Sequence, residues 1–296
     1  MMNISRKAEL LSLFFIAWIS ISSASVLVIL SGVNAFAAAF WRLFISFAIL
    51  TASAYIHNKK ISIRFSLITV VSGILLGMHF LLWMESLFLI SVALSTTIVV
   101  TYPAIILLME VAFLRERVMT KQIVGMLMAF IGVLLTVRPT FISGMRGIEG
   151  IALAGIASFF AGGYFFLGRI ARKRGTELSQ YVLPTYLTAA FIVFIAGLLW
   201  RVPILPFNLN SWIFLVALAI IPMIGGHTVM NYLLSVEKAS FVTSIALGEP
   251  FGATLLSYII LDQKVEEETI FGMVLTIAGL LLLLTERAFG KTSGND

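Results

Sequence analysis

The sequence predicts an all-α membrane protein, with ten transmembrane helices arranged as two inverted five-helix repeats. Of its 296 residues, 60% are hydrophobic and only 11% are charged, and the mean hydropathy is +1.06. Apolar runs of about 20 residues, the length that crosses roughly 30 Å of hydrocarbon, fill almost the whole chain. The chain also matches itself at a shift of 147 residues, which places Pro103 on Pro250, Gly125 on Gly272 and Gly132 on Gly279. Such a duplication is typical of transporters.

The apolar runs and the polar, Gly or Pro breaks between them define the predicted helices. The first run follows Arg6 and Lys7 and could also be a signal peptide, but it is longer than the apolar core of one, so we favour a retained helix. The predicted helices are 9–30, 34–56, 65–87, 91–114, 121–138, 148–170, 179–200, 210–233, 238–261 and 267–287.

The domain prediction is a single integral membrane domain over residues 1–296, which leaves no room for a separate soluble domain. Residues 8–138 form the first predicted repeat and residues 148–288 the second. Because five spans are an odd number, the second repeat enters the membrane upside down relative to the first.

The distribution of positive charge predicts the orientation. With the N-terminus in the cytoplasm, 15 of the 20 Lys and Arg residues fall in inner segments and 4 in outer segments, while Arg42 lies inside a span. This bias predicts that both termini are cytoplasmic. We expect a multi-pass protein of the cytoplasmic (plasma) membrane, that is, the cell inner membrane. The same bias explains the net charge of +6, so we expect no nucleic-acid partner.

Both halves carry motifs that resemble the EamA-type unit of the drug/metabolite transporter superfamily. In the first half these are residues 77–87, 91–95 and 114–118, followed by Gly125 and Gly132. In the second half they are Gly226-His227, Asn231-Tyr-Leu, Ala246-Leu-Gly-Glu-Pro250, Gly272 and Gly279. The sequence departs from the family pattern at Glu85 and Glu110, where an apolar or small residue is expected.

The resemblance implies ten helices around a central cavity and transport by alternating access. We therefore expect a secondary active transporter that moves a small organic metabolite, which is an amino acid or a related compound. Export is the favoured direction. Coupling of transport to protons is one of the mechanisms considered. The alternatives are a membrane-embedded enzyme and a channel-like or structural subunit. We expect no enzyme activity, because the chain has no Walker loop, no His-Glu-x-x-His and no Gly-x-Ser-x-Gly motif.

Ionisable residues inside predicted spans are the candidate site residues, because burying them in hydrocarbon is costly and by default marks a function or a partner. Glu249 lies mid-span before Pro250, where a proline-interrupted helix typically forms a transporter site. It could carry a proton, meet a substrate amine, or form a structural ion pair with Arg42. Arg42 could instead hold a substrate carboxylate.

The other candidates follow from spacing. His79 and His227 are one residue out of register in the shifted alignment, and each shares a helix face with a polar or aromatic residue, Trp83 and Asn231 respectively. Tyr102 is the repeat mate of Glu249. Packing inside the bundle is the alternative for each, and simple hydration at the membrane boundary is the alternative for Glu85 and Glu110. We expect no cofactor and no metal site; the expected partners are a small-molecule substrate, the lipid bilayer and, as an option, protons. The protein is expected to be a monomer or a homodimer.

Overall fold

The computed structural model describes residues 4–57, 63–114, 119–141, 144–205, 208–236, 242 and 244–289, and within these ranges it contains helices and connecting turns but no strand. The first half comprises α1 (Ile4–Ser22), α2 (Ala24–Leu30), α3 (Ala35–Ile56), α4 (Leu67–Ser86), α5 (Val92–Val99), α6 (Tyr102–Leu114) and α7 (Thr120–Phe141). The second half comprises α8 (Met145–Lys173), α9 (Leu178–Leu199), α10 (Leu209–Leu218), a π-helix (Ala219–Thr228), α11 (Val229–Val236), a 3₁₀ segment (Ser244–Gly248), α12 (Glu249–Leu261) and α13 (Glu267–Phe289).

The helices confirm that the protein is an all-α, multi-pass membrane protein. Seven helical stretches in the described residues are long and apolar enough to cross a membrane, and two shorter apolar helices cover Thr120–Thr136 and Ile245–Leu261. Several predicted spans consist of more than one element, such as α1 with α2 and α5 with α6. The predicted start of the ninth span at residue 238 lies outside the described residues.

Polar residues at the predicted breaks fix where helices begin. The side chain of Asn34 accepts a hydrogen bond from the Ala37 amide, and Ser66 does the same for the amide of Thr69. These contacts satisfy backbone donors that the first helical turn leaves unpaired. Asn34 also donates to the carbonyl of Pro203 at 2.8 Å, which ties the start of α3 to the turn after α9.

Two helices are interrupted at equivalent positions in the two halves. α5 ends at Val99 and α6 begins at Tyr102, just before Pro103, while the 3₁₀ segment gives way to α12 at Glu249, just before Pro250. Proline lacks an amide hydrogen and disturbs the preceding helical turn. Tyr102 and Glu249 line one cavity, so both interruptions lie beside the same internal space.

α7 and α13 run antiparallel and pack closely through small residues. A Cβ atom on Gly132 would lie 2.4 Å from the Thr276 nitrogen, and one on Gly279 would lie 2.4 Å from the Ala129 nitrogen. The two contacts are equivalent, because the 147-residue shift places Gly132 on Gly279 and Ala129 on Thr276. Small residues of this kind let membrane helices approach closely.

Glu110 does not lie in water as its position near a predicted span end suggested. It is fully buried, and its carboxylate forms an ion pair with Arg169 of α8. The pair joins α6 to α8, since a carboxylate removed from water needs a cationic or hydrogen-bonding partner. Glu85, near the end of α4, is half-buried.

Candidate functional site

A small central cavity lies where the interrupted helices meet α3, α4, α8 and the π-helix. Its free volume is about 20 Å³, which is room for about one water molecule. We call this space the central cavity; it is lined by Ile21, Ala24, Arg42, His79, Phe80, Trp83, Val99, Tyr102, Phe165, His227, Met230 and Glu249.

Arg42 supplies the positive charge of the central cavity. The residue is 1% exposed, and its guanidinium carbon lies 4.0 Å from the centre of the Phe80 ring. Its Nε and Nη1 atoms are buried and have no hydrogen-bond partner among the described residues. The Phe80 ring therefore makes a cation–π contact with the guanidinium, while the donor atoms Nε and Nη1 stay available.

Glu249 supplies the negative charge. It is the first residue of α12. Gly248 before it is the N-cap, and Pro250 follows it in the first turn of the helix. No Lys, Arg or His nitrogen in the described part of the chain lies within 4.0 Å of its carboxylate, so the alternative of a direct ion pair with Arg42 does not describe this arrangement. Opposite charges thus share one cavity without neutralising each other in direct contact.

Two histidines line the central cavity together with Arg42 and Glu249. His79 bonds through Nδ1 to the carbonyl of Ala157 at 3.0 Å, and because a carbonyl only accepts, Nδ1 carries the proton. In the neutral ring Nε2 is then an acceptor. The Nδ1 atom of His227 is buried with no partner among the described residues, and the two imidazole centroids are 6.3 Å apart.

Aromatic rings form the remaining wall. Trp83 stacks on His79 with the ring planes 6° apart, and Tyr102 stacks on Phe165 with centroids 5.1 Å apart. Phe165 also stacks against His227. A wall of this kind suits a ligand with an apolar or planar portion.

Asn231 is the one predicted site residue that does not line the central cavity. It is fully buried, and its Nδ2 donates to the Tyr164 hydroxyl at 2.6 Å and to the His227 carbonyl at 2.7 Å. Asn231 therefore stands behind the cavity wall and positions the backbone that carries His227. His227 belongs to the π-helix and Asn231 to α11, and only His227 lines the central cavity.

The central cavity also contains residues that the sequence did not single out. Phe80 and Phe165 contact Arg42 or His227, yet they are two of 24 phenylalanines and carry no distinguishing local signal. Phe80 follows His79 directly, so a search for aromatic neighbours of buried ionisable residues would have found it. Nothing in the sequence marks Ile21, Ala24, Val99 or Met230, which are ordinary apolar residues in apolar helices.

This site can recognise charged groups at two places, Arg42 and Glu249. An unpaired guanidinium can hold a carboxylate or another anion, and a separate carboxylate can hold an ammonium group or a proton. Within the described ranges, no group of three His, Asp or Glu side chains comes together as metal ligands.

Comparison with known proteins identifies a family. The model of the EamA-like transporter family matches residues 7–138 and again residues 148–285. The two matches together span far more than half of the chain. They confirm the resemblance seen in the sequence motifs.

Two further proteins are similar to this chain. An "uncharacterized transporter" from Archaeoglobus fulgidus is 27% identical over 208 residues, which cover 67% of this chain and 70% of the relative. A protein known from a crystal structure superposes with a TM-score of 0.71 over 95% of this chain and 98% of its own, at 18% identity. At that identity the likeness shows the fold alone.

Proposed function

The chain belongs to the EamA-like transporter family, and we propose that it is a secondary active transporter whose substrate is a small organic metabolite, an amino acid or related compound. Transport by alternating access, in the direction of export, is part of the proposal. The observation that carries it is that Arg42 and Glu249 line one central cavity without pairing with each other. A substrate with a carboxylate and an ammonium group would satisfy both.

The free-energy cost of burying a charge without a partner supports a functional role for this arrangement. A buried guanidinium without a close anionic partner is expensive in hydrocarbon, so the position of Arg42 calls for a compensating ligand. A zwitterion placed between Arg42 and Glu249 supplies the missing partners at both ends. The aromatic wall formed by Trp83, Tyr102 and Phe165 is available to the remainder of such a substrate.

Proton coupling is the second role proposed for Glu249. When no substrate ammonium is present, a carboxyl group in a cavity with room for about one water favours its neutral form. Substrate and proton would then compete for the same carboxylate, which couples the two fluxes. Arg42 of α3, His79 of α4, Tyr102 of α6 and His227 of the π-helix are the ionisable groups that share the central cavity with Glu249.

We further propose ten spans in two inverted repeats, with the start of α1 and the end of α13 on the cytoplasmic side of the plasma membrane. The antiparallel packing of α7 on α13 supports the inversion, since helices exchanged by a two-fold axis in the membrane plane must run in opposite directions. The bias of Lys and Arg toward the predicted inner segments supports the orientation.

Counterflow in proteoliposomes tests the proposed function. Vesicles containing purified protein are loaded with one unlabelled amino acid at a time, and uptake of the same radiolabelled amino acid is measured across a panel. We expect saturable, transiently concentrative uptake of at least one member, with Arg42→Gln lowering it at least tenfold. The matched control is Arg201→Gln, an exposed arginine outside the cavity, which should leave uptake unchanged. Uptake that never saturates, or none across the panel, would contradict the proposal.

A further inference from the structure

A second pocket opens at the ends of α3 and α9 and reaches inward to the π-helix. Its free volume is about 340 Å³, within the range of pockets that hold small molecules, whereas the central cavity has about 20 Å³. We call it the entrance pocket; it is lined by Leu50, Ser53, Ala54, His57, Glu177, Leu178, Ser179, Val182, Leu183 and Thr228.

The entrance pocket and the central cavity meet the π-helix at neighbouring residues. Thr228 lines the entrance pocket, while His227, the residue before it, lines the central cavity. At this point the linings of the two spaces are adjacent along the chain, with Cα atoms about 3.8 Å apart. A movement of this turn of the π-helix would therefore displace both linings together.

A hydrogen bond between side chains joins α9 to the π-helix at Thr228. The hydroxyl of Tyr186 on α9 lies 2.8 Å from Oγ1 of Thr228. Thr228 Oγ1 donates to the Met223 carbonyl at 3.1 Å, so Tyr186 is the donor to Thr228. Tyr186 is fully buried and Thr228 is 7% exposed, which places the bond inside the bundle.

The backbone beneath Thr228 is unusual for a membrane helix. The π-helix covers ten residues and contains Pro222, although π-helical turns are normally short and often mark functional positions. Its glycines let it press against α1, since a Cβ atom on Gly226 would lie 2.6 Å from a side-chain carbon of Ile21. Ile21 itself lines the central cavity, so the π-helix contacts α1 at the cavity wall.

We propose that the entrance pocket is the access route by which a small metabolite reaches the central cavity, and that the Tyr186–Thr228 hydrogen bond closes this route. The inference deepens the transport function proposed above and rests on it. In the proposed orientation the route opens to the cytoplasm, because His57 and Glu177 lie at predicted inner ends of their helices. A polar closure suits such a route, since the same two hydroxyls can bond to water when they separate.

Cysteine accessibility tests this route directly, because the chain contains no cysteine. Val99→Cys places a single thiol of similar size in the central cavity, and Val99 is 3% exposed. Its reaction with a membrane-impermeant sulfonated methanethiosulfonate is timed in inside-out and right-side-out vesicles. Adding Tyr186→Phe should raise the rate about fivefold in inside-out vesicles, the factor expected when one hydrogen bond no longer favours the closed state. Right-side-out vesicles should show no increase.

Two further variants test whether the Tyr186–Thr228 hydrogen bond is responsible for the change in rate. Thr228→Val removes the acceptor with little change of shape, together with the bond to the Met223 carbonyl, and should raise the rate at least as much as Tyr186→Phe. Tyr181→Phe is the matched control, because Tyr181 is equally buried on α9 but donates to the Tyr164 carbonyl and not to Thr228. Unchanged rates in both test variants would overturn the inference, as would equal increases from both sides or an equal increase with Tyr181→Phe.

The labelling experiment is independent of substrate identity. A chain that labels as expected but gives no counterflow would retain the route and lose the proposed function. Saturable counterflow combined with unchanged labelling would retain the function and place the access route elsewhere.

Discussion

At the scale of single residues, the behaviour of Glu249 separates a proton carrier from a structural charge. Because no described basic nitrogen lies within 4.0 Å of it, neutralising it by Glu249→Gln should leave folding intact. We expect a melting temperature in detergent within a few degrees of the wild type. Transport driven by a pH gradient should be lost, while counterflow at equal pH on both sides should continue with a weaker apparent affinity, because the amide no longer pairs with the substrate ammonium. Transport that retains its pH dependence would show that Glu249 does not carry the proton.

The same substitution at Glu110 provides the contrast. Glu110 pairs with Arg169 and is fully buried, so Glu110→Gln weakens an ion pair between α6 and α8. Removing one partner of a buried pair costs about 3–5 kcal/mol, and the partial exposure of Arg169 lowers that figure here. Glu110→Gln should therefore lower the melting temperature more than Glu249→Gln and leave the pH dependence of transport unchanged. The reverse order of stability would mean that the charges have different partners.

At the scale of elements, the crossing of α7 and α13 is set by glycine. A methyl group on Gly132 or Gly279 would lie 2.4 Å from a backbone nitrogen of the facing helix, so Gly132→Ala and Gly279→Ala should each destabilise the protein by about 1–3 kcal/mol through overpacking. Thermal denaturation in detergent measures the loss. The two variants should lose similar amounts, because the 147-residue shift relates their contacts.

Gly155→Ala is the matched control for that prediction. Gly155 lies within helix α8, and a Cβ atom there would meet no other atom within 4 Å. Replacing a helical glycine with alanine in open space should be neutral or slightly stabilising. Equal destabilisation by all three substitutions would mean that the close contact of α7 with α13 is not what these glycines provide.

At the scale of the whole molecule, the orientation follows from charge and can be measured with truncation fusions. The turn at Gly144 separates α7 from α8, and the turn at Gly175 separates α8 from α9. An alkaline phosphatase reporter should be active after Gly144 and inactive after Gly175, while a fluorescent protein reporter should show the opposite pattern. Activity of the same reporter at both positions would contradict the proposed topology.

The sequence determined the class of the molecule because the relevant signals are local or periodic along the chain. Hydropathy identified helices that cross a membrane, the shift of 147 residues revealed two related halves, and the motifs around Pro103 and Pro250 identified the EamA-like family. It also marked Arg42, His79 and Glu249 as costly residues within spans, since burying an ionisable group is expensive in any membrane helix.

Only the tertiary structure decided which of these residues meet. It placed Arg42 and Glu249 in one cavity without direct contact, paired Glu110 with Arg169, and turned Asn231 behind the wall. It also revealed the bond between Tyr186 and Thr228, residues 42 positions apart in the chain. Hydropathy does not fix how far each helix is rotated and tilted, and in a chain that is apolar on most helix faces, close packing between helices makes that choice.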